Sequence, residues 1–329
     1  MPTLSQNDEA KRKELEILRV LSEYSEPVGS TVIQRELQKR GFFIGERTIR
    51  HHLQMLQTRG LIEGHQRDGR TITQEGLSEL GSALAYQRVG FVLTDFLSMA
   101  FQATYNPQSE EGNVVANVSF VEDAFREDAL SIVKALRRDN LLPAPYIKML
   151  DEGEEYQNIS VPRGKIALFT VCNLTIDGVL MHAGIPLLMT YGGLVQFLRK
   201  HPVRFTELIA YEGTTIPPLE VFVYRDMTSI NNVLRTGSGM VPANLREIPA
   251  VARVAVQDIL AKLEKKGWGG VLAFGQPNES ILGVPVGMDR VGISTIGGLV
   301  PSAAIKEKGA QVDTFAPHCV MPVEDMERI

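Results

Sequence analysis

Two arginines in the second half of the chain have side chains suited to binding a small carboxylate. Arg204 and Thr206 lie in the stretch 202–213, whose alternating pattern predicts a strand with these two side chains on one, buried face. A guanidinium can bind a carboxylate with two parallel hydrogen bonds, and a nearby hydroxyl can add another. The alternative is a structural arginine that pairs with Glu207 or Glu212 and only stabilises the fold.

Arg246 is the second candidate cation. It is predicted to share a strand face with Asn244, so it could complement Arg204 in one pocket, and a surface or interface salt bridge is the alternative. The run 236–239, Thr-Gly-Ser-Gly, precedes that strand. It fits either an anion-binding nest or the C-cap and turn of a helix.

Cys172 follows a predicted strand, in a run of small polar residues from Thr170 to Gly178. A nucleophilic cysteine needs a histidine or another cation beside it, and nothing in the sequence arranges His182 as a base. We identify no phosphate-binding loop and no spacing typical of a metal site. Thr170, Cys172 and Thr175 are therefore interpreted as packing or ligand-lining residues, and no residue is predicted to be catalytic.

The composition is that of a globular protein with two or three domains. The 329 residues are 44% hydrophobic and 22% charged, and 34 basic against 39 acidic side chains give a net charge of −5. No apolar run approaches the ~20 residues that a membrane span needs, and the N-terminus is polar. With only two cysteines, the sequence predicts a cytoplasmic protein that does not depend on disulfides or a membrane.

Basic residues are concentrated near the N-terminus despite the acidic total. Between Thr31 and Arg70 the sequence has four acidic residues and eight basic ones, at positions 35, 39, 40, 47, 50, 59, 67 and 70. A locally positive segment on an acidic chain is a typical signature of nucleic-acid binding.

The same segment has the element order of a winged helix-turn-helix. Helical periodicity predicts helices at 8–24, at 32–39 with Ser30 or Thr31 as N-cap, and at 46–58. Two short strands around the turn 64–69 then form a wing, and a further helix follows at 74–85. The third helix would enter the major groove, with the wing on a flanking phosphate or in the minor groove. The candidate DNA-binding residues are Arg47, Thr48, Arg50, His51, Gln54, Arg67 and Arg70; a solvated face or a protein-binding winged helix is the alternative.

From about residue 88 the pattern changes to strands alternating with helices, which is typical of an α/β domain. The predicted helices are 127–137 and 251–265. The predicted strands are 114–120, 146–150, 165–172, 202–213, 219–224, 240–245 and 270–274.

Similar segments recur in this region in the same order, which indicates an internal duplication. Val114–Val118 matches Val241–Leu245, Gly184–Pro186 matches Gly283–Pro285, and Tyr191–Val195 matches Ile296–Val300. The predicted fold is thus an N-terminal winged helix-turn-helix, mainly α with a β-hairpin wing, followed by an α/β regulatory domain of two duplicated halves. The predicted boundaries are 1–80 for the winged helix, 81–88 for a linker and 89–329 for the α/β domain, with halves at about 89–200 and 201–310.

The chain resembles the NrpR-type nitrogen-regulatory repressors of methanogenic archaea and their bacterial relatives, from the winged helix to near Ala310. In the first half the resemblance rests on Gly164-Lys165-Ile166, Thr170-Val171-Cys172, Thr175-Ile176-Asp177-Gly178, Ala183-Gly184-Ile185-Pro186 and Tyr191-Gly192-Gly193-Leu194. It continues through the segments 202–207, 218–222, 236–239, 244–249, 282–286 and 292–299.

The resemblance implies a homodimeric repressor that binds a palindromic double-stranded operator of nitrogen-assimilation genes. It implies 2-oxoglutarate as the effector that releases the DNA, with no cofactor required, although a relative with another ligand would share these motifs. A higher oligomer and a contact with the basal transcription machinery are left open. The residues that we expect at the effector site are Thr170, Cys172, Thr175, Arg204, Thr206, Glu207 and Arg246.

Two other functions are compatible with the sequence. One is an α/β enzyme that acts on a metabolite and carries the winged helix as a regulatory arm. The other is a regulator that contacts proteins and reaches DNA only through a partner. The lack of a recognisable nucleophile–base pair or phosphate loop weighs against the enzyme.

Overall fold

Two units of the chain each have a hydrophobic core of their own. The computed structural model describes residues 6–24, 26–64, 69–87, 92–157 and 159–329, and the chain divides into Met1–Val89 and Gly90–Ile329. The first is called the N-terminal unit below and the second the regulatory unit.

The N-terminal unit has the element order of a winged helix. Its elements are α1 Gln6–Ser22, α2 Ser30–Lys39, α3 Glu46–Thr58, β1 Ile62–Glu63, β2 Thr71–Ile72 and α4 Gln74–Gln87. Strands β1 and β2 pair antiparallel, and an isolated antiparallel bridge joins Val28 to Arg70. Segment 81–87, expected as a linker, continues helix α4.

Apolar residues at helical spacing hold these elements together. Leu18 and Leu21 of α1, Ile33 of α2, and Ile49 and Leu56 of α3 are fully buried in one cluster. Spacings of three, four or seven residues put such side chains on one face of a helix. Because this face is buried, the opposite face of the helix points to solvent.

The predicted N-cap of α2 is wrong. Gly29 occupies the cap position, and the hydroxyl of Ser30, the first residue of the helix, donates instead to Glu46 Oε1 at 2.8 Å. A side chain already engaged by the next helix cannot satisfy the first amides of its own.

The regulatory unit contains seven α-helices within its described residues. They are α5 Val92–Gln102, α6 Arg126–Arg138, α7 Leu174–His182, α8 Pro218–Tyr224, α9 Ile230–Thr236, α10 Arg253–Lys265 and α11 Val300–Lys306. Three 3₁₀ turns lie at Asp123–Phe125, Ala250–Ala252 and Val323–Asp325.

Its strands form two five-stranded antiparallel sheets and one small hairpin. The strands are β3 Asn113–Glu122, β4 Tyr146–Leu150, β5 Glu155–Tyr156, β6 Ile159–Ser160, β7 Lys165–Val171, β8 Leu188–Leu198, β9 His201–Ala210, β10 Gly239–Pro249, β11 Val271–Phe274, β12 Arg290–Ile296, β13 Val312–Pro322 and β14 Glu327–Arg328. One sheet has the order β13-β3-β7-β4-β14 and the other β11-β12-β10-β8-β9, while β5 pairs only with β6.

Each sheet combines strands from distant parts of the chain. Strand β8, from the first part, pairs with β10 along nine residues, and β13, from the end of the chain, pairs with β3. The same order of elements occurs twice: β3, 3₁₀ turn, α6, β4, β7, α7, β8, and then β10, 3₁₀ turn, α10, β11, β12, α11, β13.

Two of the segment matches proposed from the sequence do not coincide with this order. Gly192 and Gly193 lie inside strand β8, whereas Gly297 and Gly298 lie between β12 and α11. Gly184 directly follows α7, whereas Gly283 precedes β12. Glycine-rich runs recur for different local reasons, so these matches are wrong, whereas Val114–Val118 and Val241–Leu245 both lie in strands, β3 and β10.

The predicted strand at 219–224 is also wrong, because these residues form helix α8. Pro218 stands at the first position of this helix, where its fixed φ and missing N–H favour a helix start. Leu219 and Phe222 are three residues apart and both buried, which is a helical spacing. The run 236–239 forms a helix C-cap, since Gly237 ends α9 at φ 79°.

Close packing of α5 on α7 gives a stability prediction. A Cβ at Gly178 of α7 would collide with the Ala100 carbonyl and come within 2.9 Å of Ala103 Cβ. Gly178→Ala should therefore reduce the free energy of unfolding by about 1–3 kcal/mol, as expected for overpacking. Gly275→Ala is the control, because its Cβ would meet no atom nearer than 3.5 Å. Equal denaturant midpoints for the two variants would contradict the prediction.

Candidate functional site

Helix α3 presents a polar face to solvent. Its buried residues, Ile49, His52, Leu53 and Leu56, anchor it in the core of the N-terminal unit. All five candidate DNA-binding residues of this helix are exposed: Arg47, Thr48, Arg50, His51 and Gln54. The structure brings these side chains together on one surface.

The cations on this face differ in their partners. Arg50 Nη2 lies 2.6 Å from Glu46 Oε1, and hydrogen bonds from Ser30 and Arg50 lower the pKa of Glu46. Arg47 has no hydrogen-bond or ion-pair partner among the residues that the structure describes. An exposed pair such as Arg50–Glu46 contributes little stability, so its arginine can exchange partners.

Arg70 does not reach outward from the wing. Its backbone exchanges two hydrogen bonds with Val28, at 2.8 and 3.0 Å, and the residue is only 8% exposed. Its Nη1 lies 3.4 Å from the Gly69 carbonyl, and its Nε is buried with no partner. The added bridge to Val28 turns the side chain inward, which contradicts the expected phosphate contact. Arg67 lies outside the described residues.

In the regulatory unit, a small cavity lies where elements of both halves meet. It has a volume of about 30 Å³, room for a water molecule or two. Its polar lining residues are Asn117 of β3, Cys172 and Asn173 after β7, Tyr211 after β9, and Asn244 and Arg246 of β10. Phe96, Leu174, Leu219, Leu299 and Pro317 are among its apolar walls. We call this the central cavity.

Arg246, which lines the central cavity, forms a buried ion pair with Asp177 behind it. Arg246 Nε lies 3.2 and 3.1 Å from the two carboxylate oxygens of Asp177, and Nη2 lies 3.0 Å from Oδ2. Arg246 is 1% and Asp177 2% exposed. Burial alone would lower the pKa of Arg246, but the Asp177 carboxylate and Tyr211 raise it, so the guanidinium is charged. Its Nη1 makes only a long contact, 3.4 Å, with the Leu245 carbonyl.

Two asparagines face the cavity from corresponding strands. Asn117 donates from Nδ2 to the Gly298 carbonyl at 2.9 Å, and its buried Oδ1 has no partner. Asn244 Oδ1 accepts a short hydrogen bond from the Tyr211 hydroxyl. A buried acceptor without a partner is costly, so the Asn117 carbonyl is suited to a water or a ligand donor.

Cys172 is a wall residue of the cavity and not a nucleophile. Its Sγ lies 3.6 Å from Asn173 Oδ1. Burial raises the pKa of the Cys172 thiol to about 11. Because the thiolate is the reactive form, this thiol is inert near neutral pH.

Five other candidate effector residues do not line the central cavity. Thr170 is buried in β7 opposite Asn117, and the Thr175 hydroxyl accepts from the Val115 amide at 3.0 Å. Arg204 is exposed and donates to Gln196 Oε1 at 3.2 Å, which contradicts the expectation of a buried arginine. Thr206 donates to the Leu194 carbonyl at 3.3 Å, and Glu207 is exposed.

The position of strand β9 explains why the region around Arg204 was misassigned. Strand β9 is at the edge of its sheet, and its pairing with β8 shifts register twice. Phe205 is its one buried residue, while Arg204 and Thr206 are both exposed. The two side chains share a face as predicted, but on this edge strand that face is in solvent, and alternation alone does not predict which face is covered.

Sequence reasoning missed Tyr211, Asn117 and Asn244 as cavity residues, and Asp177 as the partner of Arg246. Asp177 had a usable signal, because a lone acid in the otherwise apolar helix α7 requires a buried partner. The asparagines occupy matching places in Val114–Val118 and Val241–Leu245. Tyr211 follows an edge strand and had no such signal.

Metal-binding clusters and membrane-spanning helices are both absent from the described residues. Within the described ranges, no group of three or more His, Cys, Asp or Glu side chains is arranged to hold a metal ion. Over the same part of the chain, no helix is both long and apolar enough to cross a membrane.

Comparison with known families gives two matches. Residues 89–328 match the model of the NrpR regulatory domains NRD1 and 2. Residues 15–80 match the winged-helix domain of ribonuclease R. The two matches correspond to the two units of the structure.

Similar proteins are nitrogen regulators. The global nitrogen regulator NrpRI of Methanosarcina mazei is 37% identical over 97% of this chain and 98% of its own length. The regulator NrpR of Methanocaldococcus jannaschii is 33% identical over 97% of this chain, which spans 55% of that longer protein. A crystallised nitrogen repressor-like protein from Methanococcus jannaschii is similar to 72% of this chain and 97% of its own, with a TM-score of 0.61 at 26% identity.

These relatives are regulators, and the enzyme alternative is not supported by any of them. The match to the regulatory-domain model covers most of the chain, and the similarity to the Methanosarcina mazei protein extends over its whole length. This chain therefore belongs to the NrpR family of nitrogen-regulating transcriptional regulators.

Proposed function

We propose that this protein is a cytoplasmic repressor of nitrogen-assimilation genes that binds a palindromic operator as a dimer and releases it when 2-oxoglutarate binds. The observation that carries the DNA half of the proposal is the exposed face of α3. Arg47, Arg50, His51 and Gln54 project from a helix whose opposite face is anchored in a core. An α-helix fits the major groove, where arginine can read guanine and glutamine can read adenine.

The effector half rests on the central cavity. One carboxylate of 2-oxoglutarate would pair with Arg246, whose Nη1 is the least satisfied part of the guanidinium. The guanidinium is otherwise held by Asp177, so the effector competes with this carboxylate. A cavity of about 30 Å³ is too small for a dicarboxylate. Binding therefore requires its walls to move.

Helix α7 is the wall that this competition would move first. Asp177 lies in the middle of α7, and Cys172 and Asn173 immediately precede it. A carboxylate that takes the place of Asp177 on Arg246 would push α7 outward. The observable effect on operator affinity would be about 5–150-fold for a typical coupling of about 1–3 kcal/mol.

We infer that the two halves of the regulatory unit are copies of one ancestral unit, which allows their surfaces to be compared. In each copy, the backbone amide of the first residue of a 3₁₀ turn donates a hydrogen bond to the carbonyl of a residue with positive φ that directly precedes a later strand. The pairs are Asp123 with Gly164, at 3.0 Å, and Ala250 with Asp289, at 2.8 Å. In the first copy, charged residues surround this point, since Arg126 pairs with Asp123 and Asp151.

The corresponding end of the second copy is apolar. Val251 is 95%, Met288 88% and Val254 69% exposed, and their first-copy counterparts are Ala124, Arg163 and Glu127. The fold does not require apolar residues here, since the first copy lacks them. We assign this end to the contact between the two subunits of the proposed dimer, because apolar side chains exposed this far favour association.

The first prediction concerns the operator. Arg47→Ala should weaken binding to nitrogen-assimilation promoter fragments by about 1–3 kcal/mol if Arg47 contacts a guanine. Fluorescence anisotropy gives the affinity and footprinting the protected sequence. Arg19→Ala removes the same charge from an exposed position on α1 and should have little effect. Equal affinities for the two variants, or no protected sequence, would refute operator reading by α3.

The second prediction concerns the effector. Arg246→Met combined with Asp177→Leu removes both charges, so no unpaired charge remains buried and the unit should fold. This variant should lose 2-oxoglutarate binding in calorimetry and lose the rise in Tm that a bound ligand causes. Arg204→Ala is the control and should bind normally, because Arg204 is exposed outside the cavity. A double variant that binds as tightly as wild type places the effector elsewhere.

The third prediction concerns the dimer. Val251→Asp should shift the protein toward monomer in light scattering, because a buried unpaired carboxylate is strongly unfavourable at an interface. Ala124→Asp makes the same change at the corresponding exposed position of the first copy and should leave the mass unchanged. If only Ala124→Asp dissociates the protein, the assignment is reversed; if neither does, the apolar end is not the contact.

A further inference from the structure

The tip of the β8–β9 hairpin is a strained turn made of two long basic residues. Leu198 pairs with His201, so the loop consists only of Arg199 and Lys200. Both have positive φ, 52° and 67°, as in a type I′ turn. Side chains other than glycine and asparagine are unfavourable in this conformation, by roughly 1–2 kcal/mol each. Asn-Gly is the common choice at such a turn.

Neighbouring elements hold this turn in place. The Lys200 amide donates to the Gly237 carbonyl at 2.8 Å, and Lys200 Nζ lies 2.9 Å from Asp139 Oδ2. Gly237 packs so closely that a Cβ on it would lie 2.8 Å from the Lys200 amide nitrogen. The tip is thus fixed between the end of α6 and the end of α9.

Basic side chains from two elements lie together at this tip. Arg138 ends α6, and Arg199 and Lys200 form the turn. Asp139 contacts both elements, lying 3.5 Å from Arg138 Nε and 2.9 Å from Lys200 Nζ. Three cations and one anion give this group, the hairpin-tip cluster, a net charge of +2 on a chain whose total is −5.

The basic side chains of the cluster are available to a partner. The side chains of Arg138 and Lys200 are 71% and 56% exposed, and Arg199 is exposed with no hydrogen-bond partner in the described ranges. The unfavourable backbone conformation of Arg199 is therefore not offset by a hydrogen bond from its side chain to the described part of the protein. Backbone strain that the fold does not need is a common feature of functional sites.

We propose that the hairpin-tip cluster binds the phosphate backbone of DNA, independently of sequence, as a second contact besides α3; this rests on the proposed function as a DNA-binding protein. Phosphates suit the cluster because arginine and lysine bind their oxygens in any sequence context. An acidic chain is repelled by DNA overall, so a local group of +2 would orient the regulatory unit toward the duplex.

Arg199→Asn separates this role from a structural one. Asparagine tolerates positive φ better than arginine, so the variant should unfold at an equal or higher temperature. Its affinity for a short random-sequence duplex should fall about fivefold at about 50 mM salt, and the slope of log K against log salt should decrease by about 0.9. Arg163→Asn removes an exposed cation elsewhere on the same unit and serves as the control.

The outcomes distinguish this inference from the proposed function. If Arg47→Ala weakens DNA binding but Arg199→Asn behaves like Arg163→Asn, the hairpin-tip cluster does not contact DNA and only this inference fails. If wild type and Arg47→Ala bind neither the duplex nor any promoter fragment, the proposed function fails with it. A lower affinity accompanied by a lower Tm would indicate a structural role for Arg199 and would also overturn the inference.

Discussion

The buried pair of Arg246 and Asp177 is the interaction on which the regulatory unit depends. It joins β10 of the second half to α7 of the first, with both charges almost entirely removed from water. Removing ions from water costs several kcal/mol each, and removing one partner leaves the other uncompensated. The pair is therefore a poor source of stability but a strong constraint: α7 cannot leave its position unless another anion takes the place of Asp177.

Strand exchange limits how the unit can respond to such a replacement. Because β8 pairs with β10 and β13 pairs with β3, each sheet contains strands from both halves. A hinge that opens a cleft between the halves would break these long ladders, which is too costly for a ligand-driven step. A shift of one helix over intact sheets needs no ladder to break. Small helix movements are a known form of allosteric change. In the proposed mechanism α7 would be the helix that moves, because Asp177 holds it to Arg246.

The sequence predicted those features that depend on neighbouring residues. Periodicity predicted the three helices of the N-terminal unit, and both Val114–Val118 and Val241–Leu245 lie in strands, β3 and β10. Features that depend on distant residues were missed. Arg246 and Asp177 are 69 positions apart, and nothing near Arg246 indicates that its charge is already paired. Arg204 lies on the exposed face of an edge strand, and Arg70 is buried beside its bridge to Val28. Local patterns contain no information on edges, bulges or ion pairs between elements.

Ion pairs also reduce the net charge that the basic residues near the N-terminus present to solvent. Lys39 pairs with Glu36, Arg40 with Glu23, and Arg59 with Glu14 and Glu79, while Arg70 is buried. Counting charges in the window 31–70 therefore overstates its attraction for phosphates. In the proposed mode of binding, Arg47 and a few neighbours would supply the specific contacts of α3. The salt dependence of so few contacts would be shallow, at about 0.9 per phosphate contact. The few contacts of α3 would give little electrostatic affinity for DNA. The hairpin-tip cluster on the regulatory unit would add to it.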